Sequence, residues 1–567
     1  MKSLDPLQLF EQHRDRLEGA VTAQKARHAF SPFIESPSRK HHPPGAHAAG
    51  KAAFEARLGS RLLADQPCRV GWLGEEISPY TGARLGVSYP DVDVDRLMRQ
   101  IDSTRQPWAR ARPRARVGVC MEILERLSAQ TFENAYATMH TGGQGFMLAF
   151  AGSGASSLDR GLEALSMAWM AMDQIPETAT FTRRFGRGAA VTLEKRYRLV
   201  PVGVAVVVTC GSYPAWNAWP AMLANLATGN PVVIKPHPNG VLPVAIAVET
   251  GRAVLSAAGF SPDLLTMVAD VPDKPATVPL LQHPSVAIID FTGSQRFGSW
   301  IEEHCRDKQV YTETSGCNAV VLESVSDLDA VLDAVALSLC MFSAQMCTAA
   351  QNIWVSEKGV ETPTGRVGVD AICTRLAAAV ERLLADPDHA IGVCGTLQSP
   401  SVLDSIDSLR SDVVARGLSL VRDSASIASE QWPRARTATP LIVRCTAGER
   451  ELYGHEHFGP MSFVIEAPSI DAALLGATRD ARERGSIASY AYVVGAARQD
   501  AVIDAFAAAG ASVGVNLVRQ RPINFTAAFS DFHVTGLNPA GTACLTDLAF
   551  VARRFRVVQS KLEQPLD

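Results

Sequence analysis

Four short apolar runs in the middle of the chain constrain its fold most. Each is rich in β-branched residues, as strands buried on both faces of a parallel sheet should be. The runs are residues 199–210, 230–236, 285–294 and 319–324. Segments with helical spacing, such as AMLANLAT and VLPVAIAVETGRAVLSAAG, lie between them. This alternation predicts an α/β fold with a doubly wound parallel sheet.

The same pattern returns further along the chain and predicts a second α/β unit. Strand-like QNIWVS, LIVRC and MSFVIEA flank an alanine-rich helical stretch near 368–385. A chain of 567 residues is too long for one hydrophobic core, so two or three domains are expected. Helical spacing in residues 6–29, a Pro- and Gly-containing loop at 36–50 and a β-rich tail complete the prediction.

The composition favours a cytoplasmic protein that binds a small molecule. A formal charge of −4 gives no general attraction to nucleic acid or to an anionic membrane. No run approaches the roughly 18–20 apolar residues that a membrane-spanning helix needs, and charges interrupt the N-terminus too often for a signal peptide. The 11 cysteines form no CxxC pair, which favours a reducing compartment and indicates no metal site.

Two features suggest a nucleotide site at the carboxyl edge of the first sheet. Lys235 ends the predicted strand NPVVIK, where ligands of open α/β sheets bind. FTGSQRFG (291–298) follows another strand and leads into a helix, the setting in which backbone N–H groups meet a phosphate. A solvated lysine and an ordinary strand-to-helix turn are the alternatives.

One carboxylate and one cysteine offer the groups that thiol-based acyl chemistry needs. Glu313 lies in the Thr- and Ser-rich turn YTETSG, and Cys347 lies in FSAQMCTAA after an apolar run. The intervening residues are enough for a strand, a helix and a turn that return the chain to one cleft. We expect the residues around Cys347 to form a loop entering a helix, where a thiol pKa falls. Cys317 and Cys340 are nearby competitors, and simple packing is the alternative role.

Taken together, these motifs resemble the aldehyde dehydrogenase superfamily. VVIKP, FTGSQRFG, ETSGCN, SAQMCTAAQNIWV and HEHFGPMSFVI occur in the family's order, and the resemblance covers most of residues 70–560. It implies a homodimer or homotetramer that oxidises an aldehyde to a carboxylic acid with a nicotinamide cofactor. The implied fold has a Rossmann-type cofactor domain, an α/β catalytic domain and a β-rich oligomerisation arm.

The resemblance also assigns roles to residues. Cys347 is the implied nucleophile, and Glu313 is the implied general base that releases the acid. The oxyanion donor is either Ser212, by an ungapped alignment from Gly203 to Lys235, or Asn217, in the string PAWNAWP. The implied cofactor-binding residues are Lys235, His237, Gly293, Ser294, Gly298, Glu456 and Phe458.

Within the superfamily, the chain looks most like the phenylacetate-degradation proteins called PaaN. The ETSGCN variant, KPHP and SPYTGARLGVSYP carry this resemblance, which implies an aromatic-derived aldehyde or a coenzyme A-linked semialdehyde. Pro238 stands where many NAD-preferring members carry a glutamate. Without that carboxylate a 2′-phosphate would meet no like charge, so NADP is the expected cofactor, with NAD as the second choice.

Domain boundaries follow from the same resemblance. We expect an N-terminal helical arm and loop (1–70), a nucleotide-binding domain (71–316) with a β-hairpin insertion near 180–200, a catalytic domain (317–520), and a C-terminal arm and tail (521–567).

Two other functions stay open on the residues alone. One is a cysteine-dependent thioesterase or esterase without redox chemistry, and the other is a catalytically silent binding protein on the same fold.

Overall fold

The N-terminal segment folds as three helices packed on the body of the protein. The computed structural model describes residues 3–184, 186–188, 190–519, 523, 529, 531–542 and 547–563. The helices are α1 (Pro6–Gln12), α2 (Arg14–Ala26) and α3 (Ala46–Arg57). The Asp5 side chain accepts the free N–H groups of Leu7 and Gln8 at the start of α1. The alanine-rich α3 begins inside the segment 36–50 that the sequence predicted as a loop.

A small antiparallel sheet and a group of helices follow. These elements are β1 (Arg69–Leu73), β2 (Tyr89–Val92), α4 (Val94–Thr104), α5 (Gln106–Arg110), α6 (Pro113–Ala129), α7 (Thr131–Gly142), α8 (Phe146–Phe150), a π-helix (Ala151–Ser156), α9 (Ser157–Asp173), β3 (Thr178–Arg184) and β4 (Ala190–Pro201). Asp93 caps α4 by accepting the N–H of Arg96. Helices α6 and α9 are buried along most of their length.

A five-stranded parallel sheet forms the first large α/β unit. Its elements are β5 (Val204–Val208), α10 (Pro214–Ala227), β6 (Val232–Lys235), α11 (Val241–Ala257), β7 (Leu265–Met267), α12 (Thr277–Gln282), β8 (Val286–Thr292), α13 (Gln295–His304) and β9 (Gln309–Glu313). The strand order is β7-β6-β5-β8-β9. Every residue of β5 and β6 is buried, because α6, α9, α10 and α11 cover one face and α4 lies on the other. This confirms the predicted doubly wound sheet.

A seven-stranded sheet forms the second unit. Its elements are β10 (Ala319–Leu322), α14 (Leu328–Cys340), a 3₁₀ turn (Met341–Ala344), β11 (Asn352–Ser356), β12 (Val360–Thr362), β13 (Gly365–Val367), α15 (Val369–Leu383), α16 (Pro387–Cys394), α17 (Ser401–Ala415), β14 (Ser419–Arg422), β15 (Leu441–Thr446), α18 (Arg450–Tyr453), β16 (Met461–Ala467), α19 (Ile470–Arg484), β17 (Ser489–Tyr492), α20 (Ala496–Ala508) and β18 (Val513–Val515). The order β14-β15-β16-β11-β10-β17-β18 is parallel except at β14, and β12 and β13 form a separate hairpin. Residues 314–318 run from the carboxyl end of β9 to the amino end of β10, and the loops before β11 and β16 lie on this same side of the second sheet.

The last elements return to the first part of the chain. They are α21 (Leu548–Ala552) and β19 (Phe555–Glu563). Strand β19 pairs antiparallel with β4, which also pairs with β3, and most of this three-stranded sheet is exposed. It occupies the predicted hairpin region near 180–200 and part of the predicted C-terminal arm. Among the helices of the described residues, none has the length and apolar character needed to cross a membrane.

Candidate active site

A cavity of about 700 Å³ lies between the two large sheets, at the carboxyl ends of β5, β6, β8 and β9. This is the switch point of the first sheet, where β5 lies between β6 and β8, the place at which open α/β sheets bind ligands. Nine residues predicted for the site line the cavity: Ser212, Lys235, His237, Gly293, Ser294, Glu313, Cys347, Glu456 and Phe458. Residues that are far apart in the sequence therefore line a single cavity.

Two predicted site residues stand apart. Gly298 lies inside α13 and does not line the cavity; a Cβ there would come within 2.7 Å of the Thr314 methyl group, so it is small for packing reasons. Its role in cofactor binding stays a prediction. Asn217 belongs to α10, but its side chain lies outside the part of the chain that the structure describes.

The turn before Cys347 has an unusual backbone. Phe342, Ser343 and Ala344 have φ values of 51°, 48° and 51°, in the left-handed region that side chains other than glycine avoid. The Ser343 hydroxyl donates to the carbonyls of Cys394 (3.0 Å) and Ala438 (3.1 Å), which hold this turn from two other elements. The turn redirects the chain from the end of α14 to the cavity wall.

Asn318 fixes the position of Cys347 from the other side. Its amide nitrogen donates to the carbonyls of Cys347 (2.7 Å) and Ala349 (3.0 Å). Its oxygen accepts the backbone N–H groups of Ile487 (3.0 Å) and Ala488 (3.1 Å). One buried amide thus joins β10, the cysteine loop and the segment before β17. The motif ETSGCN contains this asparagine, but its spacing alone did not indicate the role.

The expected helix after Cys347 is absent, because the chain runs through a short turn into β11. No helix N-terminus stabilises a thiolate here, and the predicted fall in pKa is wrong. Burial raises the pKa of the Cys347 thiol well above its ordinary value. The charges of Glu313, Cys210 and Glu456 raise this pKa further. A thiolate at Cys347 therefore needs help from another group.

His533, which the sequence did not single out, contacts both predicted catalytic residues. Its Nε2 lies 3.1 Å from the Glu313 carboxylate and 3.8 Å from the Cys347 sulfur. The Glu313 carboxylate oxygen, the Cys347 sulfur and the His533 nitrogen lie within 4.8 Å of one another. The imidazole and the carboxylate are both almost fully buried, with 3% and 6% of their side chains exposed.

The segment that carries His533 is fastened across the end of β9. Thr314 donates its backbone N–H to the carbonyl of Ala540 (2.7 Å), and Thr312 donates its own to the Thr542 hydroxyl (3.0 Å). Cys347 packs beside Ile487, Val534 and Ala540 in a small apolar cluster. No strand or helix pattern surrounds FHVTG, so no local sequence signal points to the histidine.

Ser212 lies in the loop between β5 and α10, on the cavity wall. Its backbone carbonyl accepts a hydrogen bond from the buried side chain of Gln144 (2.8 Å), which fixes the loop. Burial raises the pKa of the neighbouring Cys210 thiol, and the Ser212 hydroxyl opposes this rise. Ser212 is thus held in the same cavity as Cys347 with a hydroxyl that can donate one hydrogen bond.

Lys235 has an acidic partner that the sequence did not predict. Its ammonium lies 2.7 Å from the carboxylate of Asp270, which follows β7, and both side chains are buried. Burial lowers the pKa of Lys235, and the charge of Asp270 partly restores it. Burial and the neighbouring Lys235 lower the pKa of His237 to about 4, so this imidazole is neutral at pH 7. The predicted cation is therefore paired with a carboxylate.

Glu456 and Phe458 reach the cavity from the loop between α18 and β16. The Ser315 hydroxyl donates to the Glu456 carboxylate, which ties this loop to the connection between the two sheets. Burial raises the pKa of Glu456, and the hydrogen bond from Ser315 opposes this rise. Phe458 is 38% exposed, an apolar ring at the rim of the cavity.

Comparison with known proteins identifies the family. A family model described as the aldehyde dehydrogenase family matches residues 74–487. The chain belongs to the aldehyde dehydrogenase family. This membership confirms the predicted family, the predicted fold and the prediction that the chain is an enzyme.

Solved and curated relatives of this aldehyde dehydrogenase agree with the assignment. The structure of an NAD-dependent aldehyde dehydrogenase from Burkholderia multivorans superposes with a TM-score of 0.95, at 40% identity and over 99% of both chains. A putative aldehyde dehydrogenase-like protein of Saccharomyces cerevisiae is 24% identical over 69% of this chain and 61% of its own length. A 2-aminomuconic 6-semialdehyde dehydrogenase of a Pseudomonas species is 29% identical over 47% of this chain and 52% of its own length. The chain thus spans about half to two thirds of these curated relatives.

Proposed function

We propose that this enzyme oxidises an aldehyde to a carboxylic acid through a thioester at Cys347. The observation that carries the proposal is the shared cavity, which unites Cys347 and Glu313 with Lys235 and Glu456. Its volume of about 700 Å³ lies within the range of about 300–1,000 Å³ usual for ligand and cofactor sites. A thiol nucleophile and a carboxylate base beside residues suited to bind a nucleotide support the oxidation of an aldehyde through an acyl thioester.

The chain's own residues supply the acyl chemistry. The Cys347 thiolate attacks the aldehyde carbon, and the oxyanion accepts hydrogen bonds from the Cys347 N–H and from Ser212 or Asn217. Lys235 and Glu456 would hold a nicotinamide cofactor, which would supply the hydride acceptor needed to oxidise the tetrahedral carbon to a thioester. Glu313 then takes a proton from a water molecule that attacks the thioester carbon, and the cysteine sulfur leaves. The presence of Glu313 favours hydrolysis over transfer of the acyl group to coenzyme A.

For the cofactor we propose NAD in preference to NADP. The expectation of NADP assumed that no carboxylate lies where a 2′-phosphate would bind. Asp270 supplies one, paired with Lys235 and lining the same cavity. A 2′-phosphate beside these residues would meet a like charge, whereas ribose hydroxyl groups can donate to the carboxylate. The NAD-dependent relative from Burkholderia multivorans agrees with this choice.

For the substrate we propose an apolar, aromatic-derived aldehyde or semialdehyde. Aromatic rings of Tyr213, Trp216, Phe297 and Phe458 line the cavity. Two other aromatic residues near the motifs, Trp219 and Phe342, are buried in packing and do not line the cavity. The Pseudomonas semialdehyde dehydrogenase and the resemblance to PaaN favour aromatic-acid catabolism, with a coenzyme A-linked semialdehyde as the larger candidate.

The open edges of the β3–β4–β19 sheet support assembly as a homodimer or homotetramer.

A panel of aromatic and aliphatic aldehydes, each assayed with NAD and NADP by absorbance of the reduced cofactor, tests the proposal. We expect turnover that Cys347→Ala abolishes while cofactor binding persists. Cys373→Ala, at a buried thiol in α15 far from the cavity, is the matched control and should keep full activity. Reduced cofactor formed by Cys347→Ala would overturn the mechanism. Ester hydrolysis without any aldehyde oxidation would instead support the thiol hydrolase alternative.

A further inference from the structure

One imidazole nitrogen lies between the two groups of the proposed mechanism. His533 Nε2 is 3.1 Å from Glu313 Oε1 and 3.8 Å from Cys347 Sγ, a distance within reach of a sulfur hydrogen bond. Catalytic hydrogen bonds are often long before substrate binds and shorten in the reacting complex. The same nitrogen can therefore exchange a proton with the sulfur and share it with the carboxylate.

We propose that His533 is a catalytic residue that accepts the proton of Cys347 and holds it during the attack on the aldehyde. This rests on the proposed function for its substrate, but the proton transfer itself needs neither aldehyde nor cofactor. The Sγ–H bond breaks, an Nε2–H bond forms, and the sulfur keeps the electron pair. A neutral imidazole and a thiol become an imidazolium and a thiolate, with the Glu313 carboxylate beside the new positive charge.

The surroundings of the thiol explain why such a partner is needed. Besides His533, the titratable groups near the sulfur include Glu313, Cys210, Glu456 and Tyr213, none of which is a cation. Burial raises the pKa of the Cys347 thiol, and the charges of Glu313, Cys210 and Glu456 raise it further. A protonated His533 imidazole would place a positive charge beside the sulfur and stabilise the Cys347 thiolate.

Glu313 is poorly suited to take the thiol proton itself. In the later step it must accept a proton from water, and a carboxyl group already protonated by the thiol could not do so. With the thiol proton on His533, Glu313 stays ionised for that step. On the remaining side, the imidazole faces the Trp216 ring at 6.2 Å, an apolar wall that limits competition from water.

The test measures alkylation of Cys347 by iodoacetamide as a function of pH, with peptide mass spectrometry to read this cysteine alone. All samples contain EDTA to remove trace metal ions that would react with a thiol. If His533 takes the proton, the unmutated enzyme should react readily at pH 7, with a rate that varies by less than about threefold between pH 6.5 and 8.5. A rate that instead rises about tenfold per pH unit through pH 9, as for an isolated buried thiol, would overturn the proposal.

The variant His533→Asn should lower the alkylation rate at pH 7 at least about tenfold and kcat by about 10²–10⁴-fold. His389→Asn, which changes an exposed histidine on α16, is the matched control and should alter neither quantity. Alkylation of His533→Asn with the unmutated pH profile would also overturn the proposal. If the His533→Asn variant does not fold, the pH dependence of Cys347 alkylation in the unmutated enzyme still tests the proposal. If no aldehyde is oxidised, the proposed function fails, but the alkylation result stands on its own.

Discussion

The reactivity of Cys347 depends on neighbours that differ in charge and origin. Burial and nearby acidic groups raise its pKa, and His533 offers the nearby counter-charge. Ser212 lies in the same cavity, where a hydroxyl can donate to an oxyanion. At the other end of the cavity, Lys235 and Asp270 form a buried ion pair. Single substitutions at these positions therefore separate nucleophile activation, oxyanion binding and cofactor choice.

Asp270→Asn should shift the cofactor preference toward NADP. The substitution removes the like charge that a 2′-phosphate would meet and leaves Lys235 free to bind it. We expect the ratio of kcat/KM for NADP to kcat/KM for NAD to rise about tenfold. This change corresponds to about 1.4 kcal/mol in the relative free energy of the two transition states. Asp273→Asn, at an exposed position in the same loop, is the control. An unchanged ratio would contradict the role given to Asp270.

Ser212→Ala and Asn217→Ala distinguish the two oxyanion donors. Loss of one donor costs about 10²–10³-fold in kcat, so the residue that donates should show this loss and the other should not. The position of Ser212 on the cavity wall leads us to expect the loss at Ser212. Alkylation of Cys347 should be unchanged in both variants, since neither residue takes the thiol proton. A loss confined to Asn217→Ala would show that the ungapped alignment is wrong.

At the scale of elements, helix α11 begins on a buried carboxylate. Glu76 accepts the N–H groups of Val241 (2.8 Å) and Leu242 (3.1 Å), and the Tyr89 hydroxyl donates to its other oxygen. The helix dipole and these hydrogen bonds favour the charged form, yet burial is the larger effect and raises the pKa of Glu76 to about 7. The helix that follows Lys235 is thus anchored by a group that titrates near neutral pH.

This raised pKa predicts a pH-dependent stability. Between pH 4.5 and 7 the folded state binds more protons at Glu76 than the unfolded state, so the contribution of Glu76 falls as pH rises through this window. We expect the free energy of unfolding of the unmutated enzyme, relative to Glu76→Gln, to decrease by roughly 3 kcal/mol from pH 4.5 to 7.5. Urea titrations at several pH values measure it. A difference that does not change with pH would contradict the prediction.

The sequence predicted the elements that a short, continuous pattern of residues specifies. β-Branched runs marked β5, β6, β8 and β10, and the motifs around Glu313 and Cys347 located the cavity. His533 could not be found this way, because its contact with Cys347 spans 186 residues and its segment has no periodic pattern. The left-handed turn at 342–344 was missed because Phe, Ser and Ala give no sign of positive φ. Asp270 was missed because its partner is set by the pairing of β6 with β7.

At the scale of the whole molecule, one arginine ties the C-terminal part of the chain to the first large sheet. Arg554 donates two hydrogen bonds to the carboxylate of Asp290 in β8, at 2.8 and 2.6 Å, and both side chains are buried. Arg554 also donates to Asn225 in α10 (2.9 Å). Strand β19 begins at the next residue, so this ion pair joins the exposed three-stranded sheet to the first large sheet.

Arg554→Ala should destabilise the protein strongly. It leaves Asp290 buried without its charged partner, a change that typically costs about 3–5 kcal/mol. We expect a lower Tm, because β19 loses its anchor. Arg556→Ala, an exposed position in β19, is the control and should change the free energy of unfolding by less than about 0.5 kcal/mol. An unchanged Tm in Arg554→Ala would show that other contacts hold this region.

The three left-handed residues before Cys347 also bear on the order in which the enzyme is assembled. An isolated chain avoids such conformations, so this turn gains its shape only when its supports are present. The supporting carbonyls belong to Cys394, at the end of α16, and to Ala438, just before β15, some 50 and 95 residues further along the chain. A partly synthesised or partly folded chain therefore lacks the geometry that brings the sulfur to the imidazole. The sulfur therefore reaches its place beside the imidazole only when the segments that carry Cys394 and Ala438 have packed against this turn.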